Sequence, residues 1–502
     1  MRFAQKHSKL LGDSEMRKRF EQQLEIGQLL IQDTQISLKS KDSLDELMAA
    51  LKEIFVTIEY NEKIFSILEG VISKGKQKTG RKGMDLWQLF VLSQVRLCIG
   101  ASYERLLHLA NYDHLIRQIM GIEKQPFFER TTFEYQNIYD NVTLLDDETV
   151  KQLNEVIIAF GHDIFKKKEG AALRLKTDSY VVESNVHFPT DYNLLWDCAR
   201  KCMSGISKFS KKYGEIKGWR KLEDWRYQLK GLMRELGRAS ASGGKNKDKR
   251  IKKATAEYLQ KATTLAKKIE ATIPGLPIED TADLAESIAI THFLGLMKKH
   301  IDLVNRRLIK GETIPHEEKM FSIFEDYTEL IKKGKTRPNV ELGKKLAITT
   351  DQYNLSLDYQ ILDNEQDRQM IEKLAKRVLD HFAVKSWSFD KGYWTKENKE
   401  LLRKEVEQVI MPKLGKRNKQ EEQEETSRQF KRLKNKHSAI ESNINELENR
   451  GLGRCPDRSI EHYRRYIALG ITAYNLKKIG KQLLEIERQK LQRKHPIRKQ
   501  AA

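Results

Sequence analysis

The chain has 502 residues, which at about 150 residues per domain predicts roughly three domains and excludes a lone small binding module. Lys and Arg number 92 against 71 Asp and Glu, leaving a net charge of +21, so a polyanionic partner is the first expectation. Hydrophobic residues at 39% suffice for a core, and 32% charged residues with only 9 prolines point to long solvated helices rather than to a disordered, collagenous or membrane chain.

Four cysteines are too sparse for a disulfide framework and fit a reducing compartment. The opening residues lack the apolar core of an export signal. The most apolar stretch, Leu86 to Gly100, is broken by Gln88, Gln94 and Arg96. A cytoplasmic protein with no membrane span is expected.

Along the chain, Leu24, Ile26, Leu29, Leu30, Leu47, Leu51, Ile54 and Phe55 recur at spacings of three and four, predicting helix over 13–58. A basic, glycine-containing joint follows, SKGKQKTGRKG at 73–83, and then short helices, one of them opened by Ser102. From Ala171 the stretch LRLKTDSYVVESNVHF is β-branched and aromatic, which predicts a strand or hairpin. Helical periodicity runs from Leu194 to about Leu308, interrupted by SASGGKNKDKR and PGLP, and reads as an all-helical insertion. Strand character returns in KMFSIFEDYTELI, VELGKKLAITTD and YNLSLDYQIL, as consecutive antiparallel strands. A helix at 367–382, the strand-turn SWSFDKGYW, a helix at 396–409 and the short run VIMP then alternate α and β. The charge run at 415–436 reads as a solvated helix or mobile loop, and two helices and a basic tail end the chain. No internal repeat of fixed period is present.

Several motifs are incomplete. Gly75 and Gly80 have P-loop spacing, but Arg81 and Lys82 stand where Lys and Ser/Thr are required. Cys198 and Cys202 lie one helical turn apart without the second ligand pair of a zinc site, so packed thiols are expected. Neither G-x-S-x-G nor H-E-x-x-H occurs. What remains is a set of carboxylates at element boundaries. Asp178 lies in apolar strand sequence, where a carboxylate is costly to bury without a metal or cation. Asp390 ends SWSF, where a carboxylate can also be structurally innocent, and Glu441 stands in a late helix. Glu441 and Glu448 share a helix face, seven residues apart, so periodicity alone does not choose between them. Glu183, five residues past Asp178, falls on the opposite strand face and is left out.

The stretches KTDSYVVESNVHFPTD, FSIFEDYTELIKKGKTRPNVELG, SFDKGYW, HSAIESNINELENRGLGRCPD and RRYIALGITAYNL resemble the bacterial insertion-sequence transposases of the DDE class, in particular the group called ISNCY, over roughly residues 60–480. The segment from Thr79 to Gly121 is similar to the helical region preceding the catalytic domain in such proteins. The resemblance implies an α+β fold: a ribonuclease H-like mixed sheet flanked by helices, interrupted by a large all-helical insertion and preceded by helical DNA-binding segments. It implies that two aspartates and a glutamate bind divalent metal; by motif match these are Asp178, Asp390 and Glu441. The interval of 212 positions from Asp178 to Asp390 requires the insertion. Related transposases often place a basic residue where Glu448 stands. Three carboxylates offer hard oxygen donors, which favour Mg2+ or Mn2+. The implied activity is cleavage of DNA at insertion-sequence ends and joining of the freed 3′-hydroxyls to target DNA by two-metal phosphoryl transfer. The implied partners are duplex DNA, as transposon ends and target, and further copies of the chain when paired ends are bound.

The expected organisation is an amino-terminal helical segment (1–60), a helical DNA-binding segment (61–165), the first part of the catalytic core (166–193), the helical insertion (194–315), the second part of the core (316–485) and a basic tail (486–502). Lys78, Arg81 and Lys82 in the basic joint are candidate DNA contacts, with a solvated linker as the alternative. Lys391 and Tyr393 beside Asp390 are further candidates, Tyr393 by stacking on a base or else by packing under the turn. Trp219 and Trp225 are read as packing residues. Two other functions fit the same residues: a transposase-derived DNA-binding protein that no longer cuts, and a metal-dependent nuclease without strand joining.

Overall fold

The structure is a computed structural model that describes residues 26–73, 83–332 and 339–494. The chain divides into two compact units: residues up to Ser184 together with Gly343 onward form the first, and Asn185–Leu342 the second.

The first unit opens with helices. The helix expected at 13–58 begins, within the described residues, only at Ser43, as α1 (Ser43–Val56). Before it, polar side chains satisfy the backbone locally and compete with helix. Thr34 Oγ1 donates to the Ile31 carbonyl (2.7 Å), Ser40 Oγ accepts from Asp42 N (3.0 Å), and Asp42 caps α1 by accepting from Leu44 N (2.8 Å). Then come α2 (Ile58–Ser73), α3 (Leu86–Cys98), α4 (Tyr103–Tyr112), α5 (His114–Ile119), α6 (Tyr135–Val142) and α7 (Asp147–Ile164). Every residue of α3 is buried, including Arg96, which forks onto the Asp457 carboxylate and lies 4.0 Å over the Tyr103 ring. The segment after Ala171 forms one long strand, β1 (Leu173–Glu183).

The second unit is a helical assembly of α8 (Asp191–Tyr213), α9 (Leu222–Ala241), α10 (Lys247–Thr272) and α11 (Thr281–Val304), with α8 packed on α11 and α9 on α10, followed by a short strand, β2 (Glu329–Lys332). Its core contains Trp219, Tyr258 and Met297, and both Cys198 and Cys202 are packed within it as free thiols. Burial pushes the Cys202 thiol up to about 12. Trp219 is buried and donates to Thr272 Oγ1 (2.8 Å), and Trp225 packs against the same core. Of KMFSIFEDYTELI, only its last residues are extended, because Ser322 Oγ accepts from the amides of Phe324 and Glu325 and folds that segment into a turn.

Back in the first unit, β3 (Val340–Thr350) and β4 (Ser356–Ile361) lead through α12 (Ile371–Leu379) to β5 (Val384–Phe389), and then through α13 (Lys396–Arg403) to β6 (Gln408–Ile410). Five strands of this unit form a mixed sheet in the order β4-β3-β1-β5-β6, with β4, β3 and β1 antiparallel and β1, β5 and β6 parallel. An antiparallel trio followed by two parallel strands, flanked by helices, is a ribonuclease H-like α+β sheet. The charge run at 415–436 is helical, as α14 (Lys419–Thr426) and α15 (Arg428–His437). Asn418 and Glu421 form a capping box, while Lys413–Glu421 and Arg417–Glu425 ion pairs tie the run down. The chain ends with α16 (Ala439–Leu447) and α17 (Ile460–Lys494).

Buried polar contacts lock the sheet where the first aspartate stands. Thr349 Oγ1 and Thr177 Oγ1 are 2.7 Å apart, and Trp387 Nε1 donates to Thr177 Oγ1 (2.8 Å), so one hydroxyl joins β3, β1 and β5. The β3–β4 turn is held by Asp351, which accepts from Tyr353 N and Leu355 N and lies 2.8 Å from His162 Nε2 on α7. Asn475 on α17 donates to Asn154 Oδ1 and to the Ser356 carbonyl. Gly480 lets α17 approach α1 closely, since a Cβ there would overlap the Glu46 carbonyl oxygen.

Replacing Thr177 with Val keeps the shape but leaves the buried Trp387 N–H without its acceptor. The loss should be about 1–3 kcal/mol, read as a lower urea midpoint at unchanged m-value; a midpoint equal to wild type would show that the hydroxyl does not lock the sheet.

Candidate active site

β1 and β5 run parallel, with Lys176 opposite Ser388 and Thr177 opposite Phe389. The next step of that register sets Asp178 beside Asp390. Adjacent strands lie about 4.8 Å apart, so two carboxylates separated by 212 residues of chain become neighbours. Alternation along β1 puts Asp178 on the face of Lys176, while Thr177 and Trp387 meet on the other. The same face of β5 carries Ser388, whose Oγ lies 3.0 Å from His437 Nδ1 at the end of α15, so α15 and α16 cover the Asp178 side of the sheet.

The two aspartates have opposite electrostatics. Asp178 is half-buried, and burial, followed by the negative charge of Asp390, pushes its carboxyl up to about 6, although Ser179 N donates to Oδ1 (2.7 Å). Asp390, just beyond β5, is exposed, and its Oδ1 lies 3.4 Å from His437 Nε2. The neighbouring His437 ring holds the Asp390 carboxyl below its usual range, with Lys391 and Lys434 adding positive charge.

Glu441 stands in the first turn of α16, exposed, and lines a cavity together with Asp390, Lys391, Lys434 and His437. Glu448, beyond the end of α16, is outside that lining, and its charge falls instead on the buried Tyr180 hydroxyl, two residues past Asp178. The carbonyl and amide of Glu183 bond Cys455 N (2.8 Å) and Gly453 O (3.0 Å), tying the end of β1 to the segment after α16. Thus the structure brings Asp178 and Asp390 together and places Glu441 on the wall of the cavity that Asp390 also lines. Among the described residues, no three His, Cys, Asp or Glu side chains stand close enough together to enclose a metal ion.

Lys391 is exposed at the cavity. Tyr393 is corrected: it is 1% exposed, with its ring 5.6 Å from that of Phe389, so it packs under the turn and its ring is not available to a base. Lys78, Arg81 and Lys82 lie outside the described residues.

Two residues near the site had escaped the sequence reading. His437 stands four positions before Glu441, a spacing that marks one helix face and could have drawn it in. Asp367 accepts from Ser179 Oγ (2.9 Å), pairs with Lys345 Nζ (3.2 Å) and adds to the negative charge around Asp178. Its partners are remote in sequence, and no local pattern points to it.

The ribonuclease H-like sheet thus sets two aspartates side by side on neighbouring parallel strands. Residues 313–476 match the family described as Transposase DDE domain, a segment that contains Asp390 and Glu441 and begins after Asp178. Residues 313–476 are thus similar to the DDE domain of insertion-sequence transposases. No curated protein and no solved structure matches the chain. DDE transposases cut and join DNA and generally use divalent metal ions. Among the described residues, no helix is long and apolar enough to cross a membrane.

The Asp178 carboxyl holds its proton more tightly in the folded chain than in an unfolded one, where it titrates near about 3.9. Its charged form therefore opposes folding, and stability falls as pH rises from that value through about 6. In EDTA, Asp178→Asn should melt a few degrees above wild type at pH 7, and the gap should close toward pH 4. A variant less stable than wild type at pH 7 would contradict this electrostatic account.

Proposed function

We propose that this transposase cleaves DNA at the ends of its insertion sequence and joins the freed 3′-hydroxyls to target DNA at one centre built from Asp178, Asp390 and Glu441. The observation that carries this reading is the adjacency of Asp178 and Asp390, where one carboxylate is destabilised by the charge of the other. A divalent cation would relieve that repulsion, and an all-carboxylate donor set suits Mg2+ or Mn2+. Asp178 and Asp390 would hold it, with Glu441 approaching from the shared cavity. Bound there, divalent ions supply charge neutralisation at phosphorus and activation of the attacking oxygen.

The chain's own residues have definite parts in this reading. Ser388 engages His437 Nδ1, which leaves Nε2 as the ring atom directed at Asp390 and fixes that carboxylate's direction. Lys391 and Lys434 border the cavity and offer positive charge to a bound phosphate. Glu441 is favoured over Glu448 because it shares the cavity with Asp390. The helical segments at 61–165 are assigned to DNA binding, and paired ends to an oligomer of the chain acting in the cytoplasm. The likeness to the ISNCY group belongs to the same reading.

A supercoiled plasmid carrying the cognate ends tests it. Joined products are expected with Mg2+ or Mn2+; nicks alone would replace the reading with a nuclease, and binding alone with a DNA-binding protein. Separately, millimolar Mn2+ should raise the melting temperature of wild type by a few degrees, and Asp390→Asn should lose most of that gain. Equal stabilisation of both would remove Asp390 from the metal site.

A further inference from the structure

The net charge is not spread evenly. Residues 217–268 hold 16 Lys and Arg against 5 Asp and Glu, a net of +11, about half the surplus of the chain. On α11, in the same unit, two Lys face three acidic residues. Of this excess the α9–α10 hairpin itself (222–272) carries 13 Lys and Arg against 6 Asp and Glu, a net of +7, and the loop before it adds Lys217, Arg220 and Lys221.

The hairpin tip concentrates it further. Between 238 and 253 there are seven Lys and Arg and a single acidic residue, Asp248. Among the described residues none of these seven pairs with a carboxylate, whereas Lys208, Lys212, Lys298 and Arg306 elsewhere in the unit all do. Six of the seven are exposed, Lys247 being half-buried. Arg250 closes the tip loop by donating to the Gly243 carbonyl (2.6 Å), which holds the loop against the start of α10.

The tip continues into a row along α9. Tyr227, Lys230, Arg234 and Arg238 are exposed and spaced at three, four and four, so they share one face. Lys230 to Arg238 spans about 12 Å at 1.5 Å per residue, which matches three to four phosphates of one strand at about 3.4 Å of duplex axis each. Tyr227 is 83% exposed and ends the row with a hydroxyl, a common phosphate donor.

We propose that the α9–α10 hairpin is a duplex-DNA-binding element that grips the phosphate backbone, through the α9 row and through Lys249, Arg250, Lys252 and Lys253 at the tip. Exposed, unpaired cations at helical spacing complement a regular line of phosphates. The choice of DNA among polyanions rests on the transposase reading. The contacts are to phosphates, so the element contributes affinity independent of sequence, and the other parts of the chain choose the transposon end.

The test is binding of the full chain to a labelled duplex lacking the insertion-sequence ends, in EDTA so that no cleavage intervenes, across a salt series. The variant is Lys249→Gln, Arg250→Gln, Lys252→Gln, Lys253→Gln; the control carries the same loss of charge on exposed lysines of the other unit, as Lys39→Gln, Lys41→Gln, Lys168→Gln, Lys404→Gln. The hairpin variant should bind at least about tenfold more weakly at 0.15 M salt, and its log-log salt slope should be shallower by roughly 3 to 4. The control should stay near wild type, and melting curves should coincide, because all eight side chains are exposed. If the tip variant melts early, Lys230→Gln, Arg234→Gln on the α9 row must reproduce the loss with wild-type melting for the proposal to stand. Wild-type affinity and slope in the hairpin variant, or an equal loss in the control, would overturn it while leaving the transposase reading intact. More effective competition by polyglutamate than by duplex would assign the hairpin to an acidic protein and overturn it too. Failure of wild type to bind any duplex would count against both.

Discussion

The parallel pairing of β1 with β5 is the constraint on which the site depends. One register step beyond Thr177 and Phe389 lies the meeting of Asp178 with Asp390, and a slip of one residue would send one carboxylate to the opposite face of the sheet. That register is held from beneath by the Thr349–Thr177–Trp387 hydroxyl and indole contacts, directly behind the aspartates. The aspartates and these supporting contacts occupy the two faces of the same strands. The crowding of like charge that results is unfavourable for the ionised Asp178 carboxylate.

The chain leaves the first compact unit after Ser184 and returns to it at Gly343. The return is tightly specified: a side chain at Gly343 would overlap the Val182 carbonyl oxygen, and Tyr463 OH donates to that same oxygen (2.6 Å). The intervening helical unit has its own core around Trp219, Tyr258 and Met297, and so can carry a surface of strong charge without disturbing the strand register. Charge is divided along the chain accordingly, with a few acidic residues on the sheet and a large positive excess on the helical unit.

Much of this was legible in the residues. KTDSYVV announced a strand bearing a carboxylate and SWSFDKG a strand ending in one, and the long helical block marked an insertion. The adjacency of Asp178 and Asp390 was not, because parallel pairing across 212 residues leaves no local trace. Nor could helical period separate Glu441 from Glu448, of which Glu441 lines the cavity with Asp390 and Glu448 does not. Tyr393 showed the same limit, since an aromatic after a glycine turn reads alike whether it is exposed or buried, and here it is buried. The helix read through 26–42 and the strand read in KMFSIFED failed for one reason: Thr34, Ser40 and Ser322 bond neighbouring backbone groups and outweigh the hydrophobic period.

The most direct measurement is cleavage of a labelled insertion-sequence-end duplex with Mg2+ or Mn2+ by wild type, Asp178→Asn, Asp390→Asn, Glu441→Gln and Glu448→Gln. The account predicts cutting by wild type, at least about a hundredfold loss in each of the first three variants, and retained cutting by Glu448→Gln. Wild-type cutting by either aspartate variant, or a silent Glu448→Gln beside an active Glu441→Gln, would contradict the centre described here.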